Sequence, residues 1–186
     1  MQPDSTIGVG IIGLGVRGLD SIARNMAAYF SDTGFEVTAL CDQNIDRMVE
    51  AQAYIQERYA AQGVKLVPKL YNNGLDLIDD PAVELVIITS ITDTHRAFAV
   101  PALHSGKKVY CDKPLAHNVE DAIAIVEAEA KANNALIMGF TRRYESAWLK
   151  AYELLGQGVI GPLVMVQVRN IIPYHRYLTA WWRRRA

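Results

Sequence analysis

Residues 6–18 read TIGVGIIGLGVRG. Ile7, Val9, Ile11 and Ile12 make a short apolar run of the kind found in a buried strand, and it stops at Gly13-x-Gly15-x-x-Gly18. Val16, Leu19, Ile22, Ala23, Met26, Ala27 and Phe30 then recur at helical spacing, which predicts a helix with one apolar face running to the Gly34 region. Strand, glycine turn and helix follow in the order a dinucleotide needs. Gly13 allows the tight turn, Gly15 removes a β-carbon where a pyrophosphate would approach, and Gly18 lets the helix pack closely on the strand. Leu14, Val16 and Arg17 complete the turn, whose N–H groups and helix-end partial charge suit phosphate. A second strand, FEVTALCD, closes on Asp42 about 24 residues past Gly18, near the acidic position about 20 residues on that recognises a ribose. Glycine-rich turns also occur in plain αβ units; the strand before, the helix after and Asp42 favour the nucleotide.

The chain has 186 residues, enough for one Rossmann-sized domain and part of another. With 51% apolar and 21% charged residues it has the composition of a soluble globular protein with a core. A net charge of −1 gives no bulk attraction for nucleic acid, and Arg183-Arg184-Arg185 reads as a solvated end. Neither a membrane-length apolar run nor a secretory leader is present, so no membrane partner and a cytoplasmic location are expected. Cys41 and Cys111 each end an apolar run and read as small buried hydrophobes. Without C-x-x-C spacing, and with His95, His104, His117 and His175 scattered, neither a disulfide framework nor a metal site is expected.

Strands and helices alternate from residue 6 to 140. The pattern predicts a helix over 46–61 and a weak third strand over 64–70 that Pro68 confines to an edge. A buried fourth strand, LVIITS, follows, and then a helix from about Asp93 to Ser105. KKVYCDK supplies a fifth strand; Asn118 caps the next helix, with Val119, Ala122, Ile123 and Val126 along its apolar face; and ALIMGF is the sixth strand. The fold class is α/β, a doubly wound parallel sheet over residues 1–140. After residue 140 the pattern changes. A helix carries Trp148, Ala151, Tyr152 and Leu155, and LVMVQVRN (163–170) alternates with period two, which predicts a half-exposed strand of a different sheet. Residues 141–186 are expected to begin a second, incomplete α+β domain for substrate binding or oligomerisation.

Three motifs in order carry a resemblance: the glycine fingerprint, TSITDTHRAFAVPALHSGKKVYCDKPLA (89–116), and GFTRRYESAW (139–148). Together they resemble the glucose-fructose oxidoreductase and inositol dehydrogenase family, Gfo/Idh/MocA, over nearly the whole chain. The resemblance implies an NAD-binding Rossmann domain, with the pyrophosphate on Gly13, Leu14, Gly15, Val16, Arg17 and Gly18. Asp42 falls where relatives hold the adenosine ribose hydroxyls, and a carboxylate there repels the 2′-phosphate of NADP, so NAD is favoured. Thr89, Ser90 and His95 match the loop lining the nicotinamide side, with Ile91 near the usual proline position. For His95 two readings stand: a nicotinamide-side residue, or a first-turn helix residue bonded to nearby backbone. Lys113 matches the lysine of the family's glutamate-lysine-proline motif, touching nicotinamide ribose and substrate hydroxyl, and is the candidate catalytic residue. Asp112 replaces the glutamate with a side chain one methylene shorter. Bare of the resemblance, Lys113 is either a site lysine or a surface lysine paired with Asp112. Arg143 is preferred over Arg142 as the arginine that approaches the cofactor; otherwise both are solvated at a domain junction.

The resemblance also implies a general-base histidine, about four residues after an aspartate, on a helix of the second domain. No such pair occurs here; TAWWRRRA resembles the segment just upstream, and His175 lacks the preceding aspartate. The expectation is therefore a chain truncated within its second domain. Three readings follow: an NAD-dependent oxidoreductase of sugars, polyols or related hydroxyl compounds, represented by its N-terminal portion; an NAD-binding Rossmann fragment without turnover; or an NAD-dependent glycosidase of the same family. A homo-oligomer, or association through residues 160–186, is expected from the apolar face left on the final strand.

Overall fold

The computed structural model describes residues 5–133, 135–169 and 171. Six strands, β1 (Ile7–Ile12), β2 (Phe35–Cys41), β3 (Lys69–Tyr71), β4 (Leu85–Ile88), β5 (Lys108–Asp112) and β6 (Leu136–Gly139), form one parallel sheet in the order β3-β2-β1-β4-β5-β6. The strand order reverses between β1 and β4, the point at which such sheets open a crevice beyond their carboxyl ends.

Alternation along the strands divides the core in two. Val9, Ile11, Val37, Leu40 and Ile87 face one side, where Ala23, Ala27 and Phe30 pack with Met48, Ala51, Ile55 and Tyr59 of α3 (Ile45–Ala61). Ile12, Ala39, Cys41, Val86, Ile88, Val109 and Cys111 face the other, covered by α4 (Gly74–Asp79), α5 (His95–His104) and α6 (Val119–Lys131). Each of these three helices and α3 begins behind a loop, and Asn44, Asn73 and Asn118 cap α3, α4 and α6 by accepting hydrogen bonds from first-turn N–H groups.

The β1–β2 register skips Thr38 between the Val9–Val37 and Gly10–Ala39 pairs. Near that irregularity the Val37 N–H donates to the hydroxyl of buried Tyr59 at 2.6 Å, and burial pushes that phenol up to about 12.

Several expectations are corrected. The helix after the glycine turn is not one continuous α-helix: it opens in wide π-type turns over Val16–Ala23, becomes α1 (Arg24–Ala28), and a break at Tyr29 precedes the short α2 (Phe30–Thr33). Val16 is 77% exposed and does not belong to the buried face, because it stands at the helix mouth before the helix reaches the sheet. The third strand spans only Lys69–Tyr71, after Pro68, at the sheet edge as expected. On α6 the stripe of Val119, Ile123 and Val126 faces outward; Ile125 and Ala128 fill the core instead, since this helix is apolar on two sides and the sheet covers one.

Residues 141–186 make a separate unit from 1–140. A short turn (Thr141–Tyr144) leads into α7 (Ser146–Gly156), which buries none of its residues. Residues 163–169 form no strand, and Val164 is 93% exposed. Alternation alone does not make a strand: the N–H and C=O groups need a ladder partner, and none is supplied among the described residues. Asn170, His175 and the TAWWRRRA stretch lie outside the described residues.

Candidate cofactor site at the carboxyl edge of the sheet

The register brings distant residues level. Ile12 pairs with Cys41 on one side and Ile88 on the other, and Ile88 pairs with Cys111. The next residue of each chain segment therefore emerges at the same edge: Gly13, Asp42, Thr89 and Asp112.

The glycine turn is built by backbone demands. Gly13 has φ +94°, and a β-carbon there would come 2.5 Å from the Ser90 nitrogen. At Gly18 a β-carbon would run into the Gly13 carbonyl oxygen. Gly15, in extended conformation, has nothing within 4 Å of where a β-carbon would stand. The first and third glycines are thus required by protein packing, and the second faces open space. That cradle fits a pyrophosphate approaching the main chain. Leu14, between them, is 1% exposed and anchors the turn in the core.

Two side chains hold the turn from neighbouring strands. Thr89 donates through Oγ1 to the Gly13 carbonyl at 2.6 Å. The Asp42 carboxylate accepts from the Leu14 N–H at 2.6 Å through Oδ2 and from the Asn44 N–H at 2.8 Å through Oδ1. An ionised carboxylate has about four lone-pair directions, so Asp42 retains acceptor capacity beside the turn.

On the other flank, Arg17 Nε lies 3.4 Å from Asp112 Oδ2 and so ties the glycine turn to the end of β5. Asp112 Oδ1 is buried without a hydrogen-bond partner. Gly139 makes room for it: a β-carbon there would come 2.7 Å from Oδ1 and 2.5 Å from the Tyr110 hydroxyl. Lys113 is exposed and precedes a cis Lys113–Pro114 peptide bond. The salt-bridge partner of Asp112 is Arg17, not its neighbour Lys113.

Ser90 and Thr94 share a hydroxyl hydrogen bond of 2.7 Å. His95 is 1% exposed, with both ring nitrogens facing backbone carbonyls. Cys111, beside it, is buried, and burial followed by the Asp112 charge pushes its thiol up to about 12. Cys111, Thr94 and Gly139 also belong to this region; they lie within the motif stretches 89–116 and 139–148, but nothing in the sequence marked these three as site residues. Arg143 lies in the other unit, on the turn Thr141–Tyr144, and is exposed. Among the described residues no helix is long and apolar enough to cross a membrane.

The chain is 38% identical to the inositol 2-dehydrogenase of Salmonella paratyphi B over 166 residues, 89% of this chain and 46% of that protein. It is 35% identical to inositol 2-dehydrogenase 3 of Saccharopolyspora erythraea over 181 residues, 94% of this chain and 49% of that protein. Among solved structures, the myo-inositol dehydrogenase of Lactobacillus casei, in complex with NAD(H) and myo-inositol, matches at 29% identity and a TM-score of 0.65, covering 84% of this chain and 43% of that one. The chain spans about half the length of the curated relatives it matches. Residues 7–140 match the GFO/IDH/MocA family, described as an oxidoreductase family with an NAD-binding Rossmann fold, and the chain belongs to that family.

Proposed function

We propose that this chain forms the cofactor-binding half of an NAD-dependent oxidoreductase that acts on the hydroxyl group of a polyol of the inositol kind. The observation that carries the reading is the open backbone cradle at Gly15, set between two glycines that packing requires and beside the Asp42 carboxylate. When bound, the nicotinamide supplies hydride acceptance from a carbinol carbon.

The chain's own residues then divide the work. With the Leu14 N–H taken by Asp42, the N–H groups from Gly15 to Gly18 would hold the diphosphate, and Arg17, already at the turn, would add charge. Asp42 accepts from the adenosine ribose hydroxyls and repels a 2′-phosphate, which selects NAD over NADP. Thr89 keeps the turn closed, and Ser90 borders the nicotinamide side. Lys113, carried at the end of β5, reaches the nicotinamide ribose and the substrate hydroxyl, with Asp112 beside it. Arg143 is assigned to the cofactor on family likeness. Residues 1–140 are the NAD-binding domain and 141–186 the start of a substrate and oligomerisation domain. Association through residues 160–186 is supported by the exposure of Val164 and Met165. A cytoplasmic location is supported by the two free buried thiols.

Titration calorimetry with NAD and NADP tests the reading. NAD should bind more tightly, and Asp42→Ala should weaken NAD by about tenfold or more, the scale of a hydrogen bond to a charged group, while narrowing the preference. Equal affinity for both coenzymes in the unaltered chain would refute the assignment of Asp42, and no heat with either would refute the site. A second reading is cofactor binding without turnover. Absence of reduced nicotinamide absorbance with a panel of polyols, on a chain that binds NAD, would select it.

A further inference from the structure

His95 opens α5 and is buried, yet three main-chain carbonyls from two loops surround its ring. Nδ1 lies 3.0 Å from the Pro114 oxygen and 3.3 Å from the Leu115 oxygen, and Nε2 lies 3.2 Å from the Ser90 oxygen. Cys111 Sγ is 3.4 Å from Nδ1, but its S–H has an acceptor of its own in the Asp112 carbonyl at 3.6 Å. The thiol is therefore not required as a donor to the ring. A neutral imidazole carries a single N–H. Without a proton, Nδ1 would turn its lone pair toward two carbonyl oxygens; without a proton, Nε2 would face only one. The arrangement thus favours a hydrogen on Nδ1.

We infer that His95 is a positioning residue whose Nδ1–H clamps the Pro114 and Leu115 carbonyls to the start of α5, and so sets where Lys113 stands at the end of β5. The turn it holds follows directly on Lys113, whose own side chain is exposed, so the clamp acts on the backbone that carries the amine. Its chemical relevance rests on the proposed role of Lys113; the clamp itself needs no cofactor.

The test uses the full 186-residue chain. Nitrogen NMR of the imidazole, without cofactor, should show a protonated Nδ1; an unprotonated Nδ1 overturns the inference. Two variants separate the two ends of the ring. In His95→Asn the amide N–H falls near the Nδ1 position, and in His95→Gln near the Nε2 position. Backbone order parameters of Leu115 and Ala116 should stay near the rigid value of about 0.85 in His95→Asn and fall below about 0.6 in His95→Gln, with β1 unchanged in both. Equal values at Leu115 and Ala116 in the two variants overturn the clamp. If either variant fails to fold, the ring protonation of the unaltered chain decides. Titration of the unaltered chain with NAD keeps the two claims apart: absence of binding removes the cofactor reading and leaves the clamp to the ring and backbone measurements.

Discussion

A β-carbon at Gly15 would meet nothing, and one at Gly18 would strike the Gly13 carbonyl oxygen. The same substitution should therefore have opposite effects at two positions of one motif. Gly18→Ala should destabilise the chain by about 1–3 kcal/mol, the usual cost of overpacking. Gly15→Ala, at a backbone conformation open to any residue, should raise stability by about 0.4–1 kcal/mol and yet weaken NAD by about tenfold or more. Urea unfolding and calorimetry read the two quantities separately; a Gly15→Ala chain with unaltered NAD affinity would mean that this cradle is not the phosphate site. The three glycines were legible in the sequence because a turn's backbone requirement is local. His95 was not legible to the same degree: its main acceptor, Pro114, lies 19 residues away, and spacing says nothing about which carbonyl a ring will meet.

Among the elements, the edge strand β3 is held by one carboxylate. Asp80, at the end of α4, accepts from Lys69 at 2.9 Å, from the Tyr71 hydroxyl at 2.7 Å and from the Ala82 N–H at 2.9 Å, and Lys107 reaches its carbonyl at 3.1 Å. Burial alone would raise this carboxyl, but the Ala82, Tyr71 and Lys69 hydrogen bonds outweigh it and hold it at about 2. The folded value lies below the unfolded value of about 3.9, so Asp80 contributes stability that is complete above about pH 4–5 and is lost as pH falls toward 2. Asp80→Asn should remove that part of the acid sensitivity and cost about 1–3 kcal/mol at neutral pH, the scale of hydrogen bonds lost to a charged group, since the Lys69 side chain is 61% exposed and returns to water. Urea midpoints between pH 2 and 7 check both; parallel pH profiles for the two proteins would show that Asp80 is not the titrating group. Tyr71, pushed up to about 12 chiefly by its bond to Asp80, should in turn stay protonated through mildly alkaline pH. The element pattern itself was readable from hydrophobic period and glycine punctuation, but the role of Asp80 was not, because two of its donors, Lys69 and Tyr71, lie on β3 and the third, Ala82, in the loop after α4.

At the scale of the molecule, apolar side chains stay exposed among the described residues along the outer stripe of α6, on α7 and over the run from Val159 to Val168. Burying such residues is worth about 25 cal/mol per Å² of apolar surface, which drives self-association where no other cover exists. Sedimentation velocity over a concentration series should show a concentration-dependent shift to larger species, and Val164→Asp with Val166→Asp should reduce it. A monomer at all concentrations would rule out association through this segment.

From the chain of residues alone came the alternation of strands and helices, the glycine turn, and Asp42 at the right distance from it. These depend on periodicity and on local backbone geometry, which neighbours in sequence dictate. Tertiary structure alone decided that Gly13, Asp42, Thr89 and Asp112 share one edge, that Arg17 pairs with Asp112, and that His95 grips the turn behind Lys113. It also turned the valine stripe of α6 outward and left residues 163–169 without a ladder. Register and packing bring together groups far apart in the chain, and a strand exists only when another backbone completes its hydrogen bonds.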